Sequence, residues 1–401
     1  MARHSYKFKL YPTKAQERDL EVMLNTHRHL YNKCLEMRSC AYAWYKLPIT
    51  YADCSAWFKA ERDHNNWFAT LNFSSAQATM RRLDKAFKNF FVRVRAKKKK
   101  PGYPRFKPYD RFNSFLYPAH NDGIHFKGNR VRIQNIGLVR VKNHRKVIGE
   151  IKTLSVKREA GNWFLVLSCE LEDVAIPKST NPAAGFDSGL ESFLTNSDGE
   201  HTPNPRFLKS AQAKIRKKSR KLSRAKEKSK NRKKAKLQLQ KAHAKITNQR
   251  RNFGHQLSHN LVNRFGLIAA ESLSIGNMLR NHRLALAISD AGWGSFWDMV
   301  RYKAINAGVE FITVDPRYTS QVCSGCGVIV QKELSERWHN CPHCGLCIHR
   351  DINAAINILA LARTEPKDGV RRINPALQHR KQSSSMPPQG RPRSRKLQPA
   401  E

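Results

Sequence analysis

Four cysteines, spaced as Cys323-x-x-Cys326 and Cys341-x-x-Cys344 with fourteen residues between the pairs, carry the clearest chemistry in the sequence. Each short loop turns two sulfurs toward one point, so the two knuckles can supply four thiolates to a single tetrahedral Zn²⁺ at about 2.3 Å. Four ordinary buried thiols are the rival reading. Against it, Gly327 and Gly345 directly follow the second cysteine of each pair, as the turn of a knuckle favours, and Pro342 lies inside the second knuckle. The pattern is read as a zinc ribbon over 320–348 holding one Zn²⁺. Cys347 is a fifth thiol close by, and its simpler role is that of a small buried side chain.

Three carboxylates form a second constellation. Asp187 ends a short apolar strand between Gly185 and Gly189, and Glu271 ends the apolar run that starts at Phe265. Asp351 stands in the first turn of a helix with the apolar face Ile352, Ala355, Ile356 and Leu359, where the N-terminal dipole favours an ionised side chain. Singly, each is an ordinary surface or capping residue. Taken as strand, strand and helix, the three could bind two Mg²⁺ ions about 4 Å apart, one activating a water and the other stabilising a departing 3′ oxygen.

The surroundings of these acids are strongly basic. Lys and Arg number 74 against 31 acids, a net +43 over 401 residues, more than solubility needs. A polyanion partner is implied, and nucleic acid comes first because counterion release from phosphates rewards such charge. No run approaches 18 uninterrupted apolar residues, the start Met-Ala-Arg-His-Ser has no apolar signal core, and no membrane anchor is found. The chain reads as cytosolic, and nine cysteines with a paired-knuckle spacing suit a reducing compartment and metal use better than a disulfide framework.

Two segments concentrate the charge. In Lys97-Lys98-Lys99-Lys100-Pro101-Gly102-Tyr103-Pro104-Arg105-Phe106-Lys107, cations interleave with aromatics in a loop that Pro and Gly keep from being helical, so Tyr103, Arg105 and the lysines suit phosphates plus base stacking. A solvated charge run is the alternative. Residues 209–251 carry nineteen Lys or Arg and one acid, Glu227, with Leu208, Ile215 and Leu222 at heptad spacing. A basic helical hairpin bending near 229–231 is expected, with Lys217, Lys218, Arg220, Arg224, Arg232, Lys233 and Lys234 as candidate nucleic-acid contacts. Its faces look too charged to pack together without a polyanion.

The elements that must position all this read as follows. Tyr6–Tyr11 alternates as a strand that Pro12 ends. Thr13-x-x-Gln16 is a capping box for a helix through about Trp44, a shorter helix runs near 54–63, and Ser74-x-x-Gln77 opens another whose Phe87, Phe90 and Phe91 read as core. Short strands separated by Asn-Asp-Gly, Gly-Asn and Gly-Asn turns fill 114–171, so a small β-barrel is expected, with the strand at Tyr6 joining it and the helices as an insertion. A helix at about 296–306 and a strand at 309–314 lead to the ribbon, and residues from about Thr364 on read as disordered.

Gly185-Phe186-Asp187-Ser188-Gly189-Leu190, Glu271-Ser272-Leu273, the segment Tyr318 to Gly327 and Arg350-Asp351-Ile352-Asn353-Ala354-Ala355-Ile356-Asn357 together resemble TnpB, the transposon-encoded relatives of type V CRISPR effectors. Lys9-Leu10-Tyr11-Pro12-Thr13, Tyr31-Asn32 and Gly102 to Lys107 resemble the same family, in the expected order from about residue 5 to 362. The resemblance implies a multidomain α+β protein. A wedge-like β-barrel (1–12 and 101–180) would carry a helical recognition insertion (13–100), ahead of a RuvC-like RNase H-fold nuclease domain (181–319, with the basic hairpin at 205–262). The zinc ribbon (320–348), a final RuvC helix (349–363) and a basic tail (364–401) would follow.

It further implies that Asp187, Glu271 and Asp351 are the metal-binding triad, and that the protein takes a guide RNA from the transposon end. It would cleave double-stranded DNA paired to that guide beside a short motif, working as a monomer with one RNA in a bacterial or archaeal cytoplasm. Ser188 stands where the family usually has an aliphatic residue and His349 where it often has an acid, and neither change removes a ligand. A guide-free DNA transposase with the same carboxylate chemistry and a guide-dependent repressor that does not cut are the rival functions.

Overall fold

Alternation in the first strand decides which way it faces. In β1 (Arg3–Tyr11), Tyr6, Phe8 and Leu10 are buried while Ser5, Lys7 and Lys9 lie toward solvent. The structure is a computed structural model that describes residues 3–98, 100–172, 177–333 and 335–364. Lys99, and all of the predicted tail except Thr364, lie outside the described residues. The chain divides into two compact units, residues 1–174 and 175–401.

In the first unit, α1 (Lys14–Tyr45) starts at the expected capping box, Thr13 with Gln16, and is followed by α2 (Tyr51–His64), α3 (Asn66–Ala69) and α4 (Phe73–Arg95). The cap of α4 is Asn72, whose Oδ1 accepts from the Ser75 amide, and not Ser74 as the spacing suggested. Six strands come next: β2 (Ser114–Tyr117), β3 (Ile124–Lys127), β4 (Arg130–Ile133), β5 (Gly137–Lys142), β6 (Glu150–Glu159) and β7 (Asn162–Glu170). With β1 they form one antiparallel sheet in the order β2-β6-β7-β1-β5-β4-β3, so the N-terminal strand pairs with β7 on one side and β5 on the other.

The edge strands β2 and β3 do not pair with each other, and the start of α4 lies by that gap. The Ser75 hydroxyl donates to the Leu116 carbonyl on β2, while Asn72 Nδ2 donates to Asp122 and Gln134 beside β3 and β4. The apolar faces of the sheet and of α1, α2 and α4 share one core that includes Phe8, Leu24, Phe58, Leu83, Val139 and Leu165.

His27 sits in that core, 1% exposed and stacked on Phe115 at 5.1 Å. Ser75 gives its proton to Leu116, so His27 Nε2–H donates to Ser75 Oγ, and Nδ1 accepts from Thr79 Oγ1 at 2.9 Å, nearer than that hydroxyl's other acceptor, the Ser75 carbonyl at 3.3 Å, a set that suits the neutral ring. Burial, and then the nearby Arg82 charge, hold its pKa down to about 3. The folded state therefore resists a proton that the unfolded chain takes up below about pH 6.5, so stability is lost as pH falls from there toward 3. At pH 4 the loss relative to pH 7 is expected to be about 3 kcal/mol. Hydrogen exchange of the α4 amides, compared between the wild type and His27→Gln, checks this. A pH dependence identical in the two proteins would contradict it.

The second unit is built on a different sheet. β8 (Ala183–Asp187), β9 (Ser192–Asn196) and β10 (His201–Pro203) form an antiparallel run, after which come the helices α5 (Phe207–Arg224) and α6 (Lys230–Arg264). Then follow β11 (Leu267–Glu271), α7 (Ile275–Met278), α8 (Ala285–Ala291), α9 (Trp293–Asn306) and β12 (Glu310–Val314). The order is β10-β9-β8-β11-β12, with β8, β11 and β12 parallel. α6 and α9 cover this sheet with Leu261, Trp293, Phe296 and Val300, joined by Phe265 just past the end of α6. A two-stranded ribbon, β13 (Trp338–Asn340) with β14 (Cys347–His349), leads into α10 (Arg350–Arg363). No helix among the described residues is long and apolar enough to cross a membrane.

Candidate functional site

β8 and β11 are parallel neighbours in which Ala270 pairs with Phe186, so the next residue of each strand, Asp187 and Glu271, emerges side by side at one edge of the sheet. The third carboxylate arrives on α10. That helix lies against β8 because position 185 has no side chain: a Cβ on Gly185 would come within 2.1 Å of the Ala355 carbonyl oxygen and 2.7 Å of the Leu359 nitrogen. Asp351 Oδ2 lies 3.8 Å from where a Cβ on Gly189 would be, two residues past Asp187. Gly185→Ala is expected to push α10 off the sheet at a cost of about 3 kcal/mol, near the upper end for overpacking. Denaturant unfolding of the full chain measures it, and a change below about 0.5 kcal/mol would show that α10 is not seated on Gly185.

The electrostatics match this convergence. Burial first, then repulsion from Glu271 and Asp351, push Asp187 well above the usual carboxylate range. Burial also raises Glu271, opposed by the hydrogen bond from Thr319 Oγ1 to its Oε1 at 2.6 Å. Asp351 is buried in the first turn of α10, where His349 is the N-cap and accepts from the Asp351 amide through Nδ1. The residue that departs from the family pattern at 349 therefore still caps the helix. Ser188 has a comparable use, its Oγ accepting from Trp297 Nε1 at 3.3 Å.

The four thiols predicted for zinc come together. Cys323 and Cys344 sulfurs are 3.5 Å apart, as are those of Cys326 and Cys341, and all four lie within 4.8 Å of one another. Four ligands at about 2.3 Å around a tetrahedral ion would sit about 3.8 Å apart, so the set fits Zn²⁺. Gly327 and Gly345 take φ of 78° and 73°, the left-handed turn that closes each knuckle. Burial opposes ionisation of Cys341, but the amides of Cys344 and His343 and the neighbouring thiols outweigh it and lower its pKa, favouring the thiolate a metal needs. Cys347 is exposed on β14 and stands outside the cluster. Among the described residues only these cysteines bring three or more potential ligand atoms within 4.8 Å, so the carboxylates are more widely spaced than the thiols.

The expected basic hairpin is formed by α5 and α6, with its turn at 225–229. Ala211 and Ile215 of α5 and Ala242 and the buried Ile246 of α6 line the space between the two helices, rimmed by Lys214, Lys218, Lys241 and Lys245. Arg232 is drawn into the turn, donating to the Leu222 and Ala225 carbonyls. Lys217, Lys218, Arg220, Arg224 and Lys234 line one groove of about 1370 Å³ between the helices, and Lys233 is exposed beside it. The base of the hairpin is fixed by the buried Asp290, which accepts from the Leu208 and Lys209 amides and from Arg250. No local sequence pattern marked that residue.

In the first unit, Lys97, Lys98, Lys100 and Arg105 are exposed. Tyr103 packs edge-on against Phe87 and Phe90, with its hydroxyl bonded to Ser39, so the ring is half committed to the helical face rather than free for stacking. Lys107 is held through its backbone by Asn32.

A mixed sheet carrying acids at its parallel edge, a separate antiparallel sheet with inserted helices and a four-thiol centre together define a multidomain α/β protein with a zinc-type ribbon. Comparison with known proteins narrows this. Residues 166–282 match the family described as "Probable transposase", and residues 293–358 match "Cas12f1-like, TNB domain". Residues 1–46 match a "Helix-turn-helix domain", a segment that here holds β1 and the single long helix α1.

A Streptomyces pristinaespiralis protein described as "Putative RNA-guided DNA endonuclease" is 32% identical over 92% of both chains. InsQ of Escherichia coli K12, with the same description, is 28% identical over 89% of this chain and 91% of its own. The mini-RNA-guided endonuclease CRISPR-Cas_phi3 overlaps 91% of this chain and 93% of its own at 10% identity and a TM-score of 0.49. The chain belongs to the TnpB family of transposon-encoded RNA-guided DNA endonucleases.

Proposed function

We propose that this chain cuts double-stranded DNA at sites paired to a bound guide RNA, with Asp187, Glu271 and Asp351 as its catalytic carboxylates. The observation that carries the reading is the convergence of three acids from two parallel strands and a helix start, where burial and then like charge push Asp187 up. Three hard oxygen donors whose repulsion the Arg350 charge and hydrogen bonds from Ser188 and Thr319 offset only in part suit divalent cations, and these residues would hold two Mg²⁺. When bound, the ions activate a water and stabilise the departing 3′ oxygen of a phosphodiester.

The chain's own part is to hold the ligands. β8 and β11 fix two carboxylates in register, and the first turn of α10 brings Asp351 to the same end of the sheet. The order β10-β9-β8-β11-β12, three strands antiparallel and then two parallel to the first, supports a RuvC-like RNase H domain over 181–319 closed by the helix 349–363, with the zinc ribbon at 320–348. The sheet of β1 to β7 is assigned as the wedge domain, and α1 to α4 as the recognition insertion. Lys217, Lys218, Arg220, Arg224, Lys233 and Lys234 would contact phosphates, as would Lys97, Lys98, Lys100, Arg105 and Lys107, while base pairing supplies sequence specificity. One chain would act with one guide RNA in the cytoplasm, at the nucleoid.

The test supplies purified protein with its guide RNA, Mg²⁺ and plasmid carrying a matching target beside the correct motif. Cutting that moves when the guide is changed is expected. Cutting independent of any guide would favour a transposase, and guided binding without cutting would favour a repressor.

A further inference from the structure

We infer that Thr319, Asn353 and Asn357 are positioning residues that fasten the base of the zinc ribbon to the two elements bearing Glu271 and Asp351, so that the ribbon sets how those carboxylates are held for metal. The inference rests on the reading of Glu271 and Asp351 as metal ligands.

Two asparagines on an apolar helix need explaining, since buried amides are costly unless bonded. Asn353 is 0% exposed and Asn357 is 7% exposed, one turn apart on the same face of α10. Every hydrogen-bond partner of their side chains among the described residues is backbone of the segment 319–324. Asn353 Nδ2 donates to the Val322 carbonyl at 2.7 Å, and its Oδ1 accepts from the Ser324 amide at 2.9 Å. Asn357 Nδ2 donates to the same Val322 carbonyl at 2.7 Å and to the Thr319 carbonyl at 2.9 Å. Val322 directly precedes Cys323 and Ser324 lies inside the first knuckle, so α10 grips the zinc loop by its main chain, two residues on from Asp351.

Thr319 extends this grip to the third element. It is 2% exposed and follows Tyr318, whose φ of 64° turns the chain sharply. Its hydroxyl has one proton to give, and the nearer acceptor is Glu271 Oε1 at 2.6 Å rather than the Pro316 carbonyl at 3.0 Å. One residue thus receives α10 through its carbonyl and orients Glu271 through its hydroxyl. None of the three residues would touch substrate. They act through the carboxylates, as hydrogen-bond partners behind metal ligands do, where removal typically weakens metal binding or activity by about 10–100-fold.

The test is Thr319→Val, which removes the hydroxyl, beside Thr319→Ser, which keeps it. Mn²⁺ affinity of the full-length RNA-free chain, read by electron paramagnetic resonance, is expected to fall about 10-fold or more in Thr319→Val and to stay near wild type in Thr319→Ser. Cleavage by the guide complex should need correspondingly more Mg²⁺, with zinc content and guide binding unchanged. Asn357→Leu should move Mn²⁺ affinity the same way while the four thiolates keep their zinc.

Wild-type Mn²⁺ affinity in Thr319→Val would overturn the inference. So would loss of zinc and guide binding together with Mn²⁺ affinity in both Thr319 variants, which would make the residue a general packing element. A wild-type chain that binds no Mn²⁺ would instead overturn the carboxylate reading beneath it.

Discussion

Asp187→Asn is expected to abolish guided DNA cutting while leaving the metal-free protein as stable as the wild type or more so. The two effects share one cause. Asp187 is disfavoured as an anion by burial and by Glu271 and Asp351, so its folded-state pKa lies above its unfolded one. For a carboxylate shifted upward, the favourable contribution is complete below the unfolded pKa and is lost as pH rises through the folded pKa. Above the unfolded pKa the wild type therefore progressively loses stability that the amide keeps, and the gap between the two proteins should widen as pH rises. Divalent cations reverse the ranking, because ions that bind only the folded wild-type site stabilise it by mass action.

Melting curves with and without Mg²⁺ read this directly, at about 2–4 °C per kcal/mol for a unit of this size. Cleavage should fall by at least about 10³-fold in Asp187→Asn, and likewise in Glu271→Ala and Asp351→Ala, because the ligands work as one set whose effects do not add. Guide and target binding should persist. Cutting that survives Asp187→Asn would place the chemistry elsewhere, and a variant that melts lower than the wild type without Mg²⁺ would contradict the repulsion.

What the sequence made legible follows from which physics is local. Arg130–Ile133 and Ile124–Lys127 alternate between solvent and core with a Gly-Asn turn between them, so strand and register could be read from period and turn chemistry alone. The cysteine knuckles were legible for a similar reason, since short loops constrain their own sulfurs. The α4 cap misled because the helix already starts at Phe73, with Ser74 inside its first turn: Asn72 accepts from the Ser75 amide and is itself held by Asp122 and Gln134, partners 50 and 62 residues distant. Arg232 and Tyr103 looked like free contacts for nucleic acid. One closes a turn and the other leans on Phe87 and Phe90, commitments that depend on which helices meet. The positions of Asp187 and Glu271 at strand ends and of Asp351 at a helix start were legible, but not the contacts around them: Thr319 bonds Glu271 through its hydroxyl and Asn357, 38 residues away in sequence, through its carbonyl. Two asparagines four apart in an apolar helix were the one visible hint.

Cys323→Ser is expected to lower bound zinc from about one ion per chain to well below half and to reduce cleavage by about 10-fold or more, even with Mg²⁺ in excess. Cys323 is 1% exposed, and its sulfur lies 3.5 Å from that of Cys344, so a serine hydroxyl there replaces a buried soft ligand with a poor one. Without the ion, each knuckle keeps main-chain bonds of its own, such as Cys323 to Val328 and Cys341 to Leu346, which close the separate loops but do not tie one to the other. The damage should travel, because the Val322 carbonyl and Ser324 amide that bracket Cys323 are the groups gripped by Asn353 and Asn357 on the Asp351 helix. The sheet of β8 to β12 has its own core, so the loss is local rather than global. Elemental analysis gives the zinc, and limited proteolysis between 320 and 348 reads the loosened ribbon. A zinc-selective chelator applied to the wild type with Mg²⁺ replenished should reproduce the phenotype. Folded, fully active protein that contains no zinc would refute the metal centre and its coupling to Asp351 together.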